Sequence, residues 1–495
     1  MLEQLVRTKS LDAILSDSEA PQHRLKRTLG AFDVVMLGIG AIVGAGIFAT
    51  VGTAAAGDAL RPGAGPALIL SFAITAIACC FAALCYAEFA SLVPISGSAY
   101  TYSYATFGEL VAWIIGWDLI VEYAVGNVAV AISWGNYFKT LMSGFGIVIP
   151  DWLSTDYRTA ANIPGLFARA PHLFGVPIVF NILAFGIVAL LTVVLVIGIR
   201  GSARLNTGMV VLKLIVLGFF VAVGWGYVRG ANFRPFAPNG WAGVQAGAAI
   251  VFFAYIGFDA VSTVAEETRN PSRDLPIGII GSLIVCTIIY IVVAVVFTGI
   301  IPYEVLRQKL ATEQAEPLTM ALQYANIGRF SNLFVGIVAF GSVVAHTAVL
   351  LVFQLGQPRI FFSMARDGLL PRSFAKVHPR FRTPHVTTIL TGVAVGVCAM
   401  FTSIDEMVDL TNIGTLFAFI LVCIGILILR KRDPDRPRAF RTPWVPAVPM
   451  LGVLSCLYLM LGLPWITWIR FGLWLVVGLV VYYSYGFRKS GLRSP

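Results

Sequence analysis

The sequence predicts an all-α integral membrane protein with about twelve transmembrane helices, and three observations lead to this fold class. Of its 495 residues, 58% are hydrophobic and only 12% are charged, and the mean hydropathy is +0.84. The chain is therefore far more apolar than a soluble domain. About twelve apolar runs have the roughly 20 residues that a helix needs to cross a hydrocarbon layer. These runs lack the alternation of an outer-membrane strand, so their backbone hydrogen bonds must form within helices.

The predicted spans follow one another with short connections. They cover residues 32–56, 66–92, 107–136, 177–199, 206–228, 242–265, 276–301, 331–357, 384–402, 410–430, 446–466 and 469–487. Only the connections 140–176, 302–330 and 358–383 are long. We predict a segment 1–30 before the membrane, a core of ten spans over 31–430, and a last part, 431–495, with two more spans and a tail.

The distribution of basic residues predicts the topology. Most of the 35 Lys and Arg residues lie in the termini and in the connections after spans 4, 6, 8 and 10. By the positive-inside rule these parts face the cytoplasm, which places both termini inside a multi-pass plasma membrane protein. A net charge of +10 that is arranged in this way does not indicate a nucleic-acid partner.

The chain before the first span shows no signal peptide, because it stays polar to about residue 30. Residues 9–28 could form an amphipathic helix on the cytoplasmic lipid face or a disordered tail. All seven cysteines fall inside or beside apolar runs, where they are expected to pack as small hydrophobic residues. We expect no disulfide framework, metal site or cofactor.

Two spans carry residues that disfavour a continuous helix. The first contains Gly38, Gly40, Gly44 and Gly46, and each glycine costs about 1 kcal/mol in a helix relative to alanine. Close packing through small residues would also explain this pattern. However, the sixth span also has a glycine and an acid in mid-membrane, within its segment Phe252–Asp259. Interrupted helices at matching places in two groups of five spans are typical of transporters with inverted repeats.

An interrupted helix exposes backbone groups that need partners. Free N–H groups at the start of a half-helix suit a carboxylate, and free carbonyl groups suit an ammonium group. An α-amino acid has both, so the two interruptions predict an amino acid site.

Five sequence blocks resemble those of amino acid–polyamine–organocation transporters. They are Gly38–Phe48 (GIGAIVGAGIF), Tyr86–Glu88 (YAE), Pro94–Tyr102 (PISGSAYTY), Glu266–Pro276 (EETRNPSRDLP) and Met364–Pro371 (MARDGLLP). The leading His23–Arg27 (HRLKR) and the longer loops are most similar to the cationic amino acid transporter branch and its bacterial relatives.

The resemblance implies five helices, five inverted helices and two more, with the substrate between unwound helices 1 and 6. It further implies two sets of backbone contacts and a gate. The implied carboxylate contacts are the amides of Val43, Gly44, Ala45 and Gly46, and the implied ammonium contacts are the carbonyls of Ile42, Phe253, Ala254 and Ile256. Phe253 and Phe258 are the implied gating side chains, and Gly257 lies between these contacts.

Several ionisable residues lie inside predicted spans. Lys213 in the fifth span could extend to the membrane surface, but function is the favoured interpretation, because a desolvated lysine gains and loses a proton more easily. The resemblance implies that it takes the place of a sodium ion and couples transport to protons. Asp118 and Glu122 share one helix face, where they could pair with Lys213 or relay protons.

Two further ionisable residues have two interpretations each. Asp259 could select a cationic substrate side chain or bind a neighbouring backbone group. His346 is more simply a hydrogen-bonded core residue than a proton carrier.

The predicted function is proton-coupled symport of L-amino acids, over a broad range that includes Ala and extends to cationic amino acids. Exchange of amino acids or polyamines and sodium-coupled symport remain alternatives. An ion channel is disfavoured because the two interruptions differ from one another. An enzyme is disfavoured because no hydrolase, metalloprotease or phosphate-loop motif stands in a suitable context. The apolar helix faces could also bind lipid, a sterol or a small single-span membrane partner.

Overall fold

The computed structural model describes residues 7–8, 28–93, 98–198, 203–312, 316–381 and 383–490, and their fold is almost entirely helical. The predicted amphipathic helix 9–28 lies, except for Thr28, outside the described residues. The same is true of residues 94–97 of one sequence block.

The helices follow the predicted spans. The first half of the chain contains α1 Ala31–Ile42, α2 Val51–Ala56, α3 Leu68–Leu92, α4 Ser98–Thr106, α5 Glu109–Ile120, α6 Gly126–Gly144, α7 Asp151–Ser154, α8 Tyr157–Asn162, α9 Leu166–Arg169, α10 Ile182–Ile197 and α11 Ala203–Trp225. The second half contains α12 Gly240–Val251, α13 Pro271–Ile300, α14 Tyr303–Thr312, α15 Pro317–Ala325, α16 Ser331–Arg366, α17 His385–Phe401, α18 Ile404–Arg432, α19 Ala447–Leu461, α20 Trp465–Val481 and α21 Phe487–Lys489. A small antiparallel hairpin joins β1 His172–Leu173 to β2 Val176–Pro177.

Each predicted span overlaps an apolar helix. Within the described residues nine helical segments are long and apolar enough to cross a membrane, and α10, α17 and α19 are shorter apolar helices. Some boundaries differ from the prediction. The third span continues to Gly144, and the tenth begins at Ile404 because Asp405 and Glu406 suit the positive end of a helix dipole.

The connection 140–176, predicted only as a long loop, is folded. It contains α7, α8, α9 and the hairpin, and these enclose a small cluster of buried apolar side chains. The cluster consists of Ala160, Leu166, Ala170 and Val179. Such a cluster lets the segment hold its shape at the surface of the bundle.

Helix packing places α1 and α12 in the centre. Helix α13 packs along both α1 and α3, α16 packs along α6, and α12 packs on α3. Side-chain contacts then define two ends of the bundle. The loop-rich end comprises 57–64, 145–181, 229–239, 301–312 and the first turns of α18 and α20. The basic end comprises α4, 366–381, 433–446 and the last turns of α18 and α20.

The cysteines behave as expected for small hydrophobic residues. All seven are free thiols; Cys80 and Cys398 are exposed on helix faces and the other five are buried.

Candidate functional site

The first predicted interruption is present in the structure, between α1 and α2. Helix α1 starts at Ala31, where Asp33 accepts a hydrogen bond from the N–H of Gly30, and it ends at Ile42. Val43 is extended, with a ψ of 103°, and a π-helix runs over Gly46–Thr50. The chain thus leaves the regular hydrogen-bond pattern within the first membrane segment.

Side chains from other helices satisfy the carbonyl groups of this break. Lys213 Nζ donates to the carbonyl oxygens of Gly40 at 2.6 Å and Val43 at 2.7 Å. The Tyr290 hydroxyl donates to Ile42 O at 3.1 Å. Ile42 O, the one carbonyl oxygen of this break that the resemblance implies as an ammonium contact, therefore already accepts a hydrogen bond.

Most N–H groups of the same break, unlike its carbonyl groups, have no hydrogen-bond partner among the described residues. Val43 N–H donates to Ile39 O, because α1 continues its hydrogen bonding by one residue, so this predicted carboxylate donor is occupied. Among the described residues, no acceptor is found for the N–H groups of Gly44, Ala45 and Gly46. A buried N–H without a partner costs about 1–3 kcal/mol. Break 1, the segment Val43–Gly46, therefore offers donors to a ligand.

The second predicted interruption follows α12. A short 3-10 turn covers Phe252–Tyr255, Ile256 is extended, and Gly257 has a φ of +121°. A second 3-10 helix covers Asp259–Glu267. Outside the 3-10 turn itself, no N–H group or side chain of the described residues donates to the carbonyl oxygens of Phe253, Ala254 and Ile256. Break 2, the segment Phe253–Phe258, therefore offers acceptors.

The two breaks interlock through glycine. A Cβ on Gly46 would overlap the backbone of Ala254, and a Cβ on Gly257 would lie 2.8 Å from the carbonyl carbon of Ala41. Gly257 also needs its positive φ, which L side chains rarely adopt. Close packing and exposed backbone, treated as alternatives for these glycines, thus occur together.

Lys213 lies in the core of the bundle. Its side chain is fully buried, so it does not extend to the membrane surface. Its hydrogen bonds go to the backbone of α1, and the structure shows no pairing with Asp118 or Glu122. Lys213 thus contacts α1, and pairing with Lys213, one of the two alternatives for Asp118 and Glu122, is not present.

The acidic residues form a separate cluster. Glu122 lies in a π-helix over Val121–Val125, where its carboxyl group is next to that of Asp259. Two adjacent carboxylates repel each other when both carry a charge. Asp259 also accepts from Gly257 N–H at 3.3 Å, which agrees with the backbone-partner interpretation of this residue. Asp118 is buried nearby, and one of its carboxyl oxygens has no partner among the described residues.

The remaining predicted side chains are packed in the core. Phe258 is buried against Tyr86 and Phe419, with ring centroids 6.0 and 5.0 Å away, and Phe253 is 5% exposed. His346 contacts Ser133 Oγ at 2.7 Å and Ser342 O at 2.6 Å, as expected for a hydrogen-bonded core histidine.

Sequence reasoning missed several residues that shape the breaks. Tyr290 holds Ile42 O, Tyr137 donates to Phe48 O, and Asn412 donates to the last carbonyls of α12. A tyrosine in an apolar run has no distinguishing signal, because it could equally face lipid. Asn412 is a polar residue inside a span, and that alone could have marked it.

The described residues contain no group of three or more His, Cys, Asp or Glu side chains suited to a metal ion. The arrangement consists instead of backbone donors at break 1 and backbone acceptors at break 2.

Comparison with known proteins places this geometry in context. The profile of the amino acid permease family matches residues 29–481. A branched-chain amino acid permease of Bacillus subtilis is 47% identical over 99% of both chains, and a methylthioribose transporter of the same organism is 42% identical over the full length of both. The vacuolar cationic amino acid transporter 4 of Arabidopsis thaliana is 36% identical over 88% of this chain and 68% of that protein.

Proposed function

Because this chain belongs to the amino acid permease family of the amino acid–polyamine–organocation superfamily, we propose that it is a secondary transporter that carries L-amino acids by alternating access. One observation carries the proposal: among the described residues, break 1 presents N–H groups for which no acceptor is found, and break 2 presents carbonyl oxygens that accept nothing from outside their own turn. An α-carboxylate at Gly44–Gly46 and an α-ammonium group at Phe253, Ala254 and Ile256 would satisfy both sets. Hydrogen bonds to charged groups contribute about 1.5–3 kcal/mol each, so the match favours the zwitterion over a neutral solute.

The proposed architecture has twelve crossings, arranged as five helices, five inverted helices and two more. The core is 31–430, residues 431–495 add the last two helices, and residues 1–30 precede the membrane. The basic end faces the cytoplasm of a cell whose plasma membrane holds the protein, and the loop-rich end faces outward. Exposed apolar side chains along α13, α17 and α20 provide faces for lipid, a sterol or a single-span partner.

We propose proton coupling through Lys213. Its ammonium group donates to the carbonyl oxygens of Gly40 in α1 and Val43 in break 1, and a sodium ion would need those same oxygens. When Lys213 loses its proton, Gly40 O and Val43 O lose a cationic donor, so α1 is held less firmly. Protonation at one face of the membrane and release at the other would thereby bias the position of α1.

The acidic pair has a second role in the proposal. Glu122 and Asp259 would repel each other if both were ionised, so a proton held by one of them would stabilise the pair. We propose that Glu122 takes part in proton movement and that Asp259 orders break 2 through Gly257 N–H.

The substrate range is proposed to be broad, with small and branched neutral amino acids preferred and cationic amino acids included. The relatives named for branched-chain and cationic amino acids support both classes. The relative named for methylthioribose makes this sugar a second candidate substrate. Exchange and sodium-coupled symport remain the alternative modes.

The decisive experiment is uptake into proteoliposomes. Radiolabelled L-Ala, L-Leu and L-Arg are supplied under an inward proton gradient and, separately, under an inward sodium gradient, with unlabelled methylthioribose as competitor. Accumulation driven by protons alone supports the proposal. Sodium-dependent accumulation would remove the role of Lys213, and uptake only into vesicles preloaded with amino acid would establish exchange.

The Lys213→Met variant tests the coupling residue. We expect it to bind L-Ala and exchange it across the membrane but to lose proton-driven accumulation. Lys376, a basic residue of the connection 366–381, provides the matched control, and Lys376→Met should accumulate L-Ala normally. Accumulation by Lys213→Met at the unaltered level would refute the coupling proposal.

A further inference from the structure

A buried ion pair joins the segment after α2 to α18 at the loop-rich end. Arg61, in the segment after α2, contacts Asp409 of α18 through Nη1 at 2.7 Å and Asp58 through Nη2 at 2.6 Å. The side chains of Arg61 and Asp409 are only 6% and 8% exposed. Asp58 also accepts from the N–H groups of Leu60 and Arg61, so the segment is held in one conformation.

One turn further along α18, Asn412 contacts the second break. Its Nδ2 donates to Ala249 O at 2.8 Å and to Ile250 O at 3.3 Å, in the last turn of α12. These carbonyls lie where the α-helical pattern changes to the 3-10 turn, and such a change leaves carbonyl groups without partners. Asn412 is fully buried, and it fixes the point from which break 2 starts.

Asp409 and Asn412 are three residues apart and therefore lie on the same face of α18. A single rigid helix thus contacts the segment after α2 with one residue and the end of α12 with the other. A movement of this face of α18 would change both contacts at once.

We propose that the pair Arg61–Asp409 is a latch that closes the loop-rich end of the substrate pathway, and that Asn412 is a positioning residue that transmits closure to break 2. The inference rests on the alternating access proposed above. The charges of a buried ion pair must be hydrated when the pair separates. The pair is therefore stable either closed, without water, or open, with both charged groups hydrated. Outward opening therefore requires α2 with its following segment to leave α18 and admit water.

A neighbouring ion pair provides the matched control. Glu406 contacts Arg470 at 2.7 Å and Arg158 at 3.1 Å, which joins α18 to α20 and α8. This pair lies at the same end of the same helix, but it contacts neither α2 nor α12. Its loss should leave the pathway closed.

The test measures access to a thiol at break 1. Val349 of α16 is 3% exposed and faces Gly44, so Val349→Cys reports water entering the site. The exposed Cys80 and Cys398 are first replaced by serine. A membrane-impermeant methanethiosulfonate is then applied to intact cells and to inside-out vesicles. The two preparations identify the side on which access changes.

We expect Arg61→Gln to raise the labelling rate from the loop-rich side about tenfold, because the remaining buried charge favours the hydrated state. Asp409→Asn should raise the labelling rate by a similar factor, and it replaces Arg61→Gln as the test variant if Arg61→Gln does not fold. Arg61→Lys should give a smaller rise, and Arg470→Gln should leave the rate within about twofold of the reference, as surface pairs contribute little. A rate for Arg61→Gln and Asp409→Asn no higher than that for Arg470→Gln would overturn the latch.

The role of Asn412 is tested by a double-variant cycle. Asn412→Leu removes the donor with little change in volume, and it should raise labelling by itself. If Asn412 transmits closure, the variant that combines it with Arg61→Gln should label no faster than the faster single variant. If the labelling rate of the double variant instead rises by the product of the two single fold-increases, the two residues act independently and the positioning role is overturned. The assay uses no substrate, so a failure of amino acid uptake in proteoliposomes would leave its outcome intact.

Discussion

The interlocking of the two breaks predicts opposite outcomes for two glycines that are two residues apart. A Cβ on Gly44 would lie 2.6 Å from a methyl group of Val349, which is the end of a side chain. A Cβ on Gly46 would overlap the backbone of Ala254, which cannot rotate away. Gly44→Ala therefore overpacks a side chain, whereas Gly46→Ala pushes the two breaks apart.

The expected magnitudes follow from these neighbours. Overpacking a core position costs about 1–3 kcal/mol, so Gly44→Ala should lower the melting temperature. Adding Val349→Ala should restore it, together with the affinity for L-Ala. Gly46→Ala should lose at least one hydrogen bond to the charged substrate, worth about 1.5–3 kcal/mol, so the Kd should rise about tenfold or more.

The assay is equilibrium binding of radiolabelled L-Ala to purified protein, with the melting temperature measured on the same samples. Adding Ala254→Gly to Gly46→Ala is the decisive control, because it removes a side chain and leaves the backbone in place. We expect it not to restore binding. Restored binding would show that Gly46 serves only side-chain packing, and the backbone site argued here would be refuted.

Three further outcomes are expected. Asp259→Asn should reduce uptake of L-Ala and L-Arg by the same factor, since Asp259 contacts Gly257 N–H; a change in their competition ratio would make it a selector. Glu88→Gln should cost about 3–5 kcal/mol, seen as a lower melting temperature, because this buried carboxylate binds two arginines; Arg432→Gln is the exposed control, and equal losses would contradict the argument. Burial raises the pKa of Asp156, in the connection 145–181, to about 6 from 3.8. The folded state therefore holds a proton that the unfolded state releases, and the stability of this segment should fall by about 3 kcal/mol as the pH rises from about 3 to 7. Limited proteolysis of the segment, compared with Asp156→Asn at each pH, should show this loss only in the unaltered chain.

The sequence predicted the structural features that depend on local composition, namely the apolar helices and the two breaks. Hydrophobic runs located every apolar helix. Four glycines located the first break and a glycine near an acid located the second, because these residues disfavour a continuous membrane helix. Lys213 stood out for the same reason. The contacts of these residues could not be predicted, since the pairing of Lys213 with Gly40 O and Val43 O depends on helices far apart in the chain.

Other features had no local signal. Arg61 and Asp409 are separated by 348 positions, so nothing near either residue indicates the other. The π-helix that contains Glu122 also lies in an ordinary apolar sequence. Short polar stretches do not distinguish a folded connection from an irregular one. The connection 140–176, which is folded, was therefore predicted only as a long loop.

The unpartnered backbone groups of the two breaks have a kinetic consequence. A carrier that releases its cargo on one side must return empty, and an empty closed site leaves the donors of Gly44–Gly46 and the facing carbonyls without amino acid. Each buried group without a hydrogen-bond partner costs about 1–3 kcal/mol, unless a water molecule binds it in the closed state. The loaded return meets no such cost. With the proposed site, turnover should therefore be faster when amino acid is present on both sides than when the carrier returns empty, because the groups proposed to bind the amino acid would also limit the rate of the cycle.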